Sequence, residues 1–123
     1  MEMLIARNAD TGGIIASRVQ VAHTRAARAI GLLARRALGD DEGLWIVPCR
    51  GVHTCGMQFR IDLVALDGDG VVIDRVTALR PWRIRLPRRG VMGVLELAAG
   101  ALGRSGTRLG HRIVLERLLI ADC

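Results

Sequence analysis

The chain has 123 residues, of which 50% are hydrophobic and 24% charged, and 18 basic against 12 acidic residues give a formal net charge of +6. This balance excludes an intrinsically disordered chain, a collagen-like repeat and a coiled coil, and the length suits one domain, residues 1–123. All 18 basic residues are arginine, and their charge favours anionic partners. Aromatic residues make up only 2% of the chain, so we do not expect a nucleic-acid partner, which several stacked rings would normally hold.

Cysteine usage and the N-terminus bear on the compartment. Three cysteines, at positions 49, 55 and 123, are an odd set with no disulfide pattern. The first residues lack the features of a secretory signal, and the most apolar stretch, residues 90–103, is interrupted by Glu96. We therefore expect a soluble cytoplasmic chain without a membrane span, and the sequence leaves its oligomeric state open.

The first half of the chain predicts a strand, a helix and a second strand. Alternating apolar residues predict the first strand over residues 13–22. Thr24 is a suitable N-cap for a helix over residues 25–38, whose apolar residues recur at helical spacing and which Gly39 ends. The next apolar run predicts a buried strand over residues 43–47, stopped by Pro48.

The second half reads as consecutive strands. A hairpin is predicted from two apolar runs, 61–66 and 71–76, joined by the turn residues Asp67 to Gly70. Residues 80–90, the arginine loop, alternate arginine with apolar residues and predict a surface loop or an edge strand. Beyond it we predict a strand over 91–97, a short helical turn over 98–103 and a last strand over 111–117. Because few helices separate these strands, the pattern favours an α+β fold with a mostly antiparallel sheet.

The densest group of reactive side chains is Cys49, His53, Cys55 and Met57. Thiolate, imidazole and thioether ligands suit Cu(I) or Zn(II), but the spacing matches no closed zinc site. A second alternative is a thiol enzyme, with Cys49 or Cys55 as nucleophile, His53 as base and Asp62 orienting the imidazole. The favoured interpretation is structural: the thiols and Met57 pack in the core and His53 makes a hydrogen bond. We therefore expect no cofactor.

Two carboxylates stand in apolar strands. Alternation is expected to point Glu96 away from the core and leave it an ordinary exposed residue, whereas an inward Glu96 would need a partner such as His53 or an arginine. Asp62 is expected to be a structural carboxylate that accepts hydrogen bonds.

An ordered series of short motifs runs through most of the chain. It comprises Gly31-Leu32-Leu33, Gly43-Leu44-Trp45-Ile46, Pro48-Cys49, His53-Thr54, Gly56-Met57, Phe59, Ile61-Asp62, the Asp67 to Gly70 turn, Leu95-Glu96-Leu97 with Gly100, and Leu109-Gly110. With these motifs the chain, over about residues 14–117, resembles domain-of-unknown-function family 192, an uncharacterised bacterial and archaeal family. It departs from the family pattern at Cys55, Arg60 and His111.

The resemblance implies a strongly bent sheet that approaches a small barrel, with one main helix packed on it. It implies no established activity, although family members are often exported and look like envelope, pilus or secretion proteins. By resemblance, His53, Met57, Asp62 and Glu96 occupy signature positions, and we predict a ligand site there together with Thr54.

Three functions are carried forward. The leading hypothesis is a non-enzymatic binding or accessory domain whose concave sheet face, lined by His53, Asp62 and Glu96, holds a small ligand or a segment of an envelope or secretion partner. The second is the metal or thiol chemistry described above. The third is a basic module that binds anionic membrane, polysaccharide or nucleic acid through four residues of the arginine loop, which are Arg83, Arg85, Arg88 and Arg89.

Overall fold

The computed structural model describes residues 3–24, 27–28, 31–33 and 35–117. Within these ranges the chain forms nine strands and a short helix, α1, which spans Ala101–Ser105. The strands are β1 (Met3–Asn8), β2 (Ile14–Ala22), β3 (Glu42–Ile46), β4 (Val52–His53), β5 (Ile61–Leu66), β6 (Val72–Leu79), β7 (Ile84–Arg85), β8 (Gly93–Ala98) and β9 (Ile113–Arg117).

Seven strands form one sheet in the order β6-β5-β8-β3-β2-β1-β9, and β4 and β7 form a separate two-stranded sheet. Every neighbouring pair in the large sheet is antiparallel except β2 and β3, which run parallel. The predicted hairpin over residues 61–76 is confirmed as β5 and β6. The prediction of an α+β fold with a mostly antiparallel sheet is therefore confirmed.

The sheet curls until its two edges meet at one end. An isolated bridge joins Val71, before β6, to Arg112, before β9. The Ile113 N–H also donates to the Gly70 carbonyl at 2.9 Å. Gly70 has a φ of +83°, and a Cβ there would lie 2.7 Å from the Ile113 carbonyl oxygen, so the closure requires glycine at this turn. The predicted bent sheet that approaches a barrel is confirmed.

Both faces of the central strands are covered. The inner cluster takes residues from both edges of the sheet and from α1, so it fills the inside of the curl; its members include Leu4, Val19, Val64, Leu95, Leu97, Leu102 and Ile113. The outer clusters cover the opposite face of β3, β5 and β8; they include Leu32, Leu44, Ile46, Met57, Ile61, Leu63, Ala65 and Val94. All six residues of β5 and of β8 are therefore buried.

The predicted helix over residues 25–38 is partly wrong. Thr24 does cap a helical turn, because the Ala27 N–H donates to its hydroxyl oxygen at 3.0 Å and the Arg28 N–H to its carbonyl at 2.9 Å. Gly31 then takes a φ of +49°, which ends the turn long before Gly39, and residues 31–33 and 35–39 are not helical. Residues 25, 26, 29, 30 and 34 lie outside the described part of the chain.

The other predicted strands and the predicted helical turn are present, with bounds that differ from the prediction by a few residues. The predicted strands over 13–22, 43–47, 91–97 and 111–117 correspond to β2, β3, β8 and β9, and the helical turn predicted over 98–103 is α1. Strand β1 was not predicted. Its core-facing residues, Leu4, Ala6 and Asn8, include only one large apolar side chain, so their alternation is weak. Cys123 lies outside the described residues.

Candidate functional site

Glu96 lies in the middle of the sheet, on β8 between β3 and β5. It stands opposite Leu44 on one side and Leu63 on the other, so it shares their face, the outer one. The chain after β3 covers that face, and Glu96 is only 4% exposed. The expectation of an ordinary exposed Glu96 is therefore wrong: alternation does turn it away from the inner cluster, but the outer face is not in solvent.

One oxygen of the Glu96 carboxylate lacks a partner in the described part of the chain. Among the described residues, its Oε2 atom is buried without a hydrogen-bond partner. Burial raises the pKa of Glu96 from 4.5 to about 7. Since one pKa unit corresponds to about 1.4 kcal/mol, the folded protein disfavours the charged form of Glu96 by about 3 kcal/mol.

Glu96 lines a cavity of about 290 Å³, the Glu96 pocket. That volume equals about ten water molecules at their share of liquid water. Buried Leu32, Ile46 and Met57 give the pocket apolar walls, and Arg28 and the exposed His53 also line it. The remaining lining residues are Gly31, Leu33, Pro48, Cys49, Gly51 and Val52.

Cys49 faces the same pocket as a protonated thiol. Its Sγ donates to the Gly51 carbonyl oxygen at 3.0 Å. Burial raises the pKa of Cys49, and the negative charge of Glu96 raises it further. Because a nucleophilic cysteine needs a lowered pKa, this environment disfavours Cys49 as a nucleophile.

The predicted metal ligands are divided between two cavities. Cys49, His53 and Met57 line the Glu96 pocket, whereas Cys55 lines a second cavity of about 450 Å³ together with His53 and residues of the arginine loop. Within the described ranges, no three side chains of His, Cys, Asp or Glu come close enough to hold a metal ion.

Asp62 lies on the opposite face of the sheet from Glu96. It pairs with Leu97, whose side chain belongs to the inner cluster. Its Oδ1 accepts from the Ala78 N–H at 2.9 Å, and its Oδ2 accepts from the N–H groups of Gly100 (3.1 Å) and Leu102 (3.0 Å). Asp62 therefore fixes the start of α1. His53, Asp62 and Glu96 therefore do not line one common face of the sheet. His53 and Glu96 line the same pocket, and Asp62 is not among its lining residues.

Thr54 is fully buried and holds the arginine loop. Its hydroxyl donates to the Arg80 carbonyl at 2.7 Å and accepts from the Arg83 N–H at 2.9 Å. Its own N–H donates to the Arg83 carbonyl, and its carbonyl accepts from the Trp82 N–H at 3.0 Å. Thr54 is not among the residues that line the Glu96 pocket.

The four predicted anion-binding arginines are not equivalent. Arg85 makes two hydrogen bonds to Asp74, at 2.6 and 2.7 Å, and Arg88 makes an ion pair with the same carboxylate at 3.1 Å. The hydrogen bonds from Arg85 lower the pKa of Asp74. Arg83 and Arg89 are exposed, and neither forms an ion pair within the described residues.

The sequence analysis did not identify Gly51, which lines both cavities. A Cβ there would lie 2.6 Å from the Arg85 carbonyl oxygen and 2.7 Å from the Pro87 nitrogen. Only glycine therefore lets the arginine loop pack against the strand β4. The only indication of this role in the sequence is that residue 51 is a glycine, because the residues that it contacts, 85–87, are more than thirty positions away in the chain.

None of the helices in the described ranges is both long and apolar enough to cross a membrane.

Comparisons with known proteins agree on the family. The model of the family DUF192, described as "Uncharacterized ACR", matches residues 6–115. A UPF0127 protein of Pyrococcus abyssi is 32% identical over 88 residues, which are 68% of this chain and 73% of that protein. A UPF0127 protein of Pyrococcus furiosus is 29% identical over 68 residues, 55% of this chain and 58% of that one.

Two solved structures share the fold. One, from Sinorhizobium meliloti, is described as a "putative transcription regulator"; its TM-score is 0.78 at 24% identity, covering 93% of this chain and 92% of that one. The other, a protein of unknown function from Novosphingobium aromaticivorans, has a TM-score of 0.76 at 24% identity, covering 91% and 83%. At this identity the likeness shows the fold alone.

Proposed function

The chain belongs to the DUF192 family of uncharacterised proteins, and from this premise and the geometry of its pocket we propose a non-enzymatic binding domain that holds a small ligand at Glu96. The observation that carries the proposal is the buried Oε2 atom of Glu96, which has no partner among the described residues. An uncompensated buried carboxylate costs several kcal/mol, and a hydrogen-bond donor of a ligand would remove much of that cost.

The lining indicates the class of ligand. Leu32, Ile46 and Met57 surround the single carboxylate with apolar surface, so the buried part of the ligand is apolar with one donor group, a hydroxyl or an ammonium. Arg28 and His53 lie among the lining residues and suit a hydrogen-bond acceptor elsewhere on the ligand. The volume of about 290 Å³ limits the ligand to a small molecule.

The same geometry gives less support to thiol or metal chemistry. The pKa of Cys49 is raised, Asp62 lies on the other face of the sheet, and Cys55 lines another cavity. A soft metal would have Cys49, His53 and Met57 as ligands in the pocket and would lack the fourth predicted one. An association with the envelope, a pilus or a secretion system stays a prediction from the family resemblance.

The test is a ligand-observed NMR screen of small alkyl and aryl amines and alcohols. We expect hits with the wild type that compete with one another, and the amine hits should be lost in Glu96→Gln, which keeps an acceptor oxygen but cannot carry the negative charge. The matched control is Glu116→Gln, which removes a carboxylate that is paired with Arg7 and 43% exposed. An amine should bind more tightly as pH rises and Glu96 ionises, whereas an alcohol should not.

Three results would overturn the proposal. The first is that neither class binds the wild type, and the second is that Glu96→Gln binds the amine hits as well as the wild type does. The third is a saturable shift of the amide signals of residues 49–57 on addition of Zn(II) or Cu(I) that is lost in His53→Ala. That result would favour the metal alternative.

A further inference from the structure

The arginine loop exposes three large apolar side chains. Trp82, Ile84 and Leu86 are 68%, 68% and 72% exposed. Arg85 lies between Ile84 and Leu86, at the end of β7, and directs its guanidinium group to the buried carboxylate of Asp74, while its side chain stays 43% exposed. Because successive side chains of a strand point to opposite sides, the Asp74–Arg85 pair leaves Ile84 and Leu86 facing solvent together.

The exposure of Trp82 is built into the fold. Trp82 has a φ of +63°, a left-handed conformation that is a genuine outlier for a bulky side chain. Thr54 holds it there, because the Thr54 carbonyl accepts from the Trp82 N–H and the Thr54 hydroxyl accepts from the next N–H, that of Arg83. Fully buried Thr54 thus fixes Trp82 in a strained conformation that leaves its indole ring exposed to water. Because such strain is typical of functional sites, we expect the ring of Trp82 to contact a partner.

The charge of the loop limits the chemistry of that partner. Residues 80–90 contain five arginines and no acidic residue, and the chain carries a net charge of +6. All four predicted anion-binding arginines are exposed beside the apolar side chains, but Asp74 pairs with Arg85 and Arg88, whereas Arg83 and Arg89 make no ion pair within the described residues. The surface therefore combines exposed apolar side chains with cations, and it is complementary to an anionic surface with an apolar interior.

We propose that the arginine loop docks the protein on an anionic lipid bilayer. Trp82, Ile84 and Leu86 enter the interfacial region, and Arg83 and Arg89 bind the lipid phosphates. A single-stranded nucleic acid is disfavoured as the partner because Ile84 and Leu86 have no ring on which a base could stack. Thr54 acts as a positioning residue. This inference is independent of the ligand proposed for the Glu96 pocket.

The test is co-sedimentation with lipid vesicles. We expect the wild type to bind vesicles of equal parts phosphatidylcholine and phosphatidylglycerol, to bind phosphatidylcholine alone much more weakly, and to dissociate as salt increases. Trp82→Ser should weaken binding about tenfold. Neutralising Arg83 or Arg89 with glutamine should weaken it about fivefold for each arginine.

Two matched controls separate docking from general surface effects. The double variant Arg83→Gln with Leu86→Ser should lose binding, whereas Arg108→Gln with Leu109→Ser, which removes the same residue types from another exposed turn, should keep it. Thr54→Val and Thr107→Val each remove a hydroxyl from a fully buried threonine, but only Thr54→Val should weaken vesicle binding.

Binding that is equal on neutral and anionic vesicles, or unchanged by Trp82→Ser, would refute the proposal. Absence of vesicle binding together with Trp82-dependent binding of a single-stranded oligonucleotide, followed by fluorescence anisotropy, would assign the loop to nucleic acid instead. Glu96→Gln should bind vesicles normally, so a failure of this proposal does not depend on the pocket.

Discussion

Replacing Glu96 with glutamine should make the protein more stable at alkaline pH and leave it nearly unchanged at acidic pH. The pKa of Glu96 is 4.5 without burial and about 7 in the fold. Below the lower value both the folded and unfolded states hold the proton, so burial of the carboxyl group carries no charge penalty. Above the higher value both states have lost it, and the folded state bears the whole cost of a buried charge, about 3 kcal/mol.

The free energy of unfolding of the wild type should therefore fall, relative to the variant, as pH rises from about 4.5 to about 8. Glutamine resembles the protonated carboxyl group in size and cannot ionise, so the two proteins should agree within about 1 kcal/mol at the acidic end. Asp41, Glu42 and Asp74 all have lowered pKa values, so they titrate below this window, and they do so in both proteins.

The assay is urea unfolding at a series of pH values, followed by circular dichroism, with the slopes compared to check that both proteins expose the same surface. A carbon NMR titration of the Glu96 carboxyl group gives the pKa directly. Parallel stability curves for the wild type and Glu96→Gln, or a carboxyl group that titrates at its ordinary value, would show that burial does not disfavour the charged form of Glu96.

Three further predictions test the contacts that hold the arginine loop and α1. Gly51→Ala should cost about 2 kcal/mol, because the methyl group would meet the backbone of residues 85–87, whereas Gly103→Ala should stabilise by about 0.5 to 1 kcal/mol, because nothing lies within 4 Å of its Cβ position. If urea unfolding showed that Gly51→Ala and Gly103→Ala change the free energy of unfolding equally, the close contact of residue 51 with the backbone of residues 85–87 would be refuted. Asp62→Asn should cost about 2 kcal/mol and speed hydrogen exchange at Leu102; unchanged protection would show that Asp62 does not hold α1. The pKa of Asp74 is lowered, so its ion pairs stabilise the fold above about pH 4 and are lost as pH falls. Asp74→Asn should lose about 1 kcal/mol at neutral pH and less in acid, and a pH-independent loss would count against the ion pairs.

Local patterns in the sequence were sufficient for most strands and for the hairpin. Asp67 to Gly70 specify a turn through their own side chains and backbone, since the Asp67 carboxylate accepts from the N–H groups of Asp69 and Val71. The helix that follows Thr24 shows the limit. Alanine and leucine favour helix through residue 38, but Gly31 ends it, and nothing in the local sequence distinguishes this glycine from one that a helix tolerates.

The candidate site could be predicted only in part, because it depends on contacts between distant segments. Alternation along β8 correctly separates Glu96 from Leu95 and Leu97, but whether its face meets solvent depends on the chain after β3. Asp62 and His53 were grouped because both occupy signature positions of the family that the chain resembles. The pairing of Asp62 with Leu97, which places it on the other face, is a property of the sheet and not of either residue.

The pairing of β1 with β9 has a consequence for how the chain folds. Strand β1 finds its first partner, β2, within a few residues, but its second, β9, lies at the far end of the described chain, where Leu4 pairs with Arg117. Contacts of such long sequence separation form slowly, because the loop they close has a large entropy. Until β9 is in place, β1 is an open sheet edge that can pair with another chain. The last described strand therefore protects the first one from aggregation.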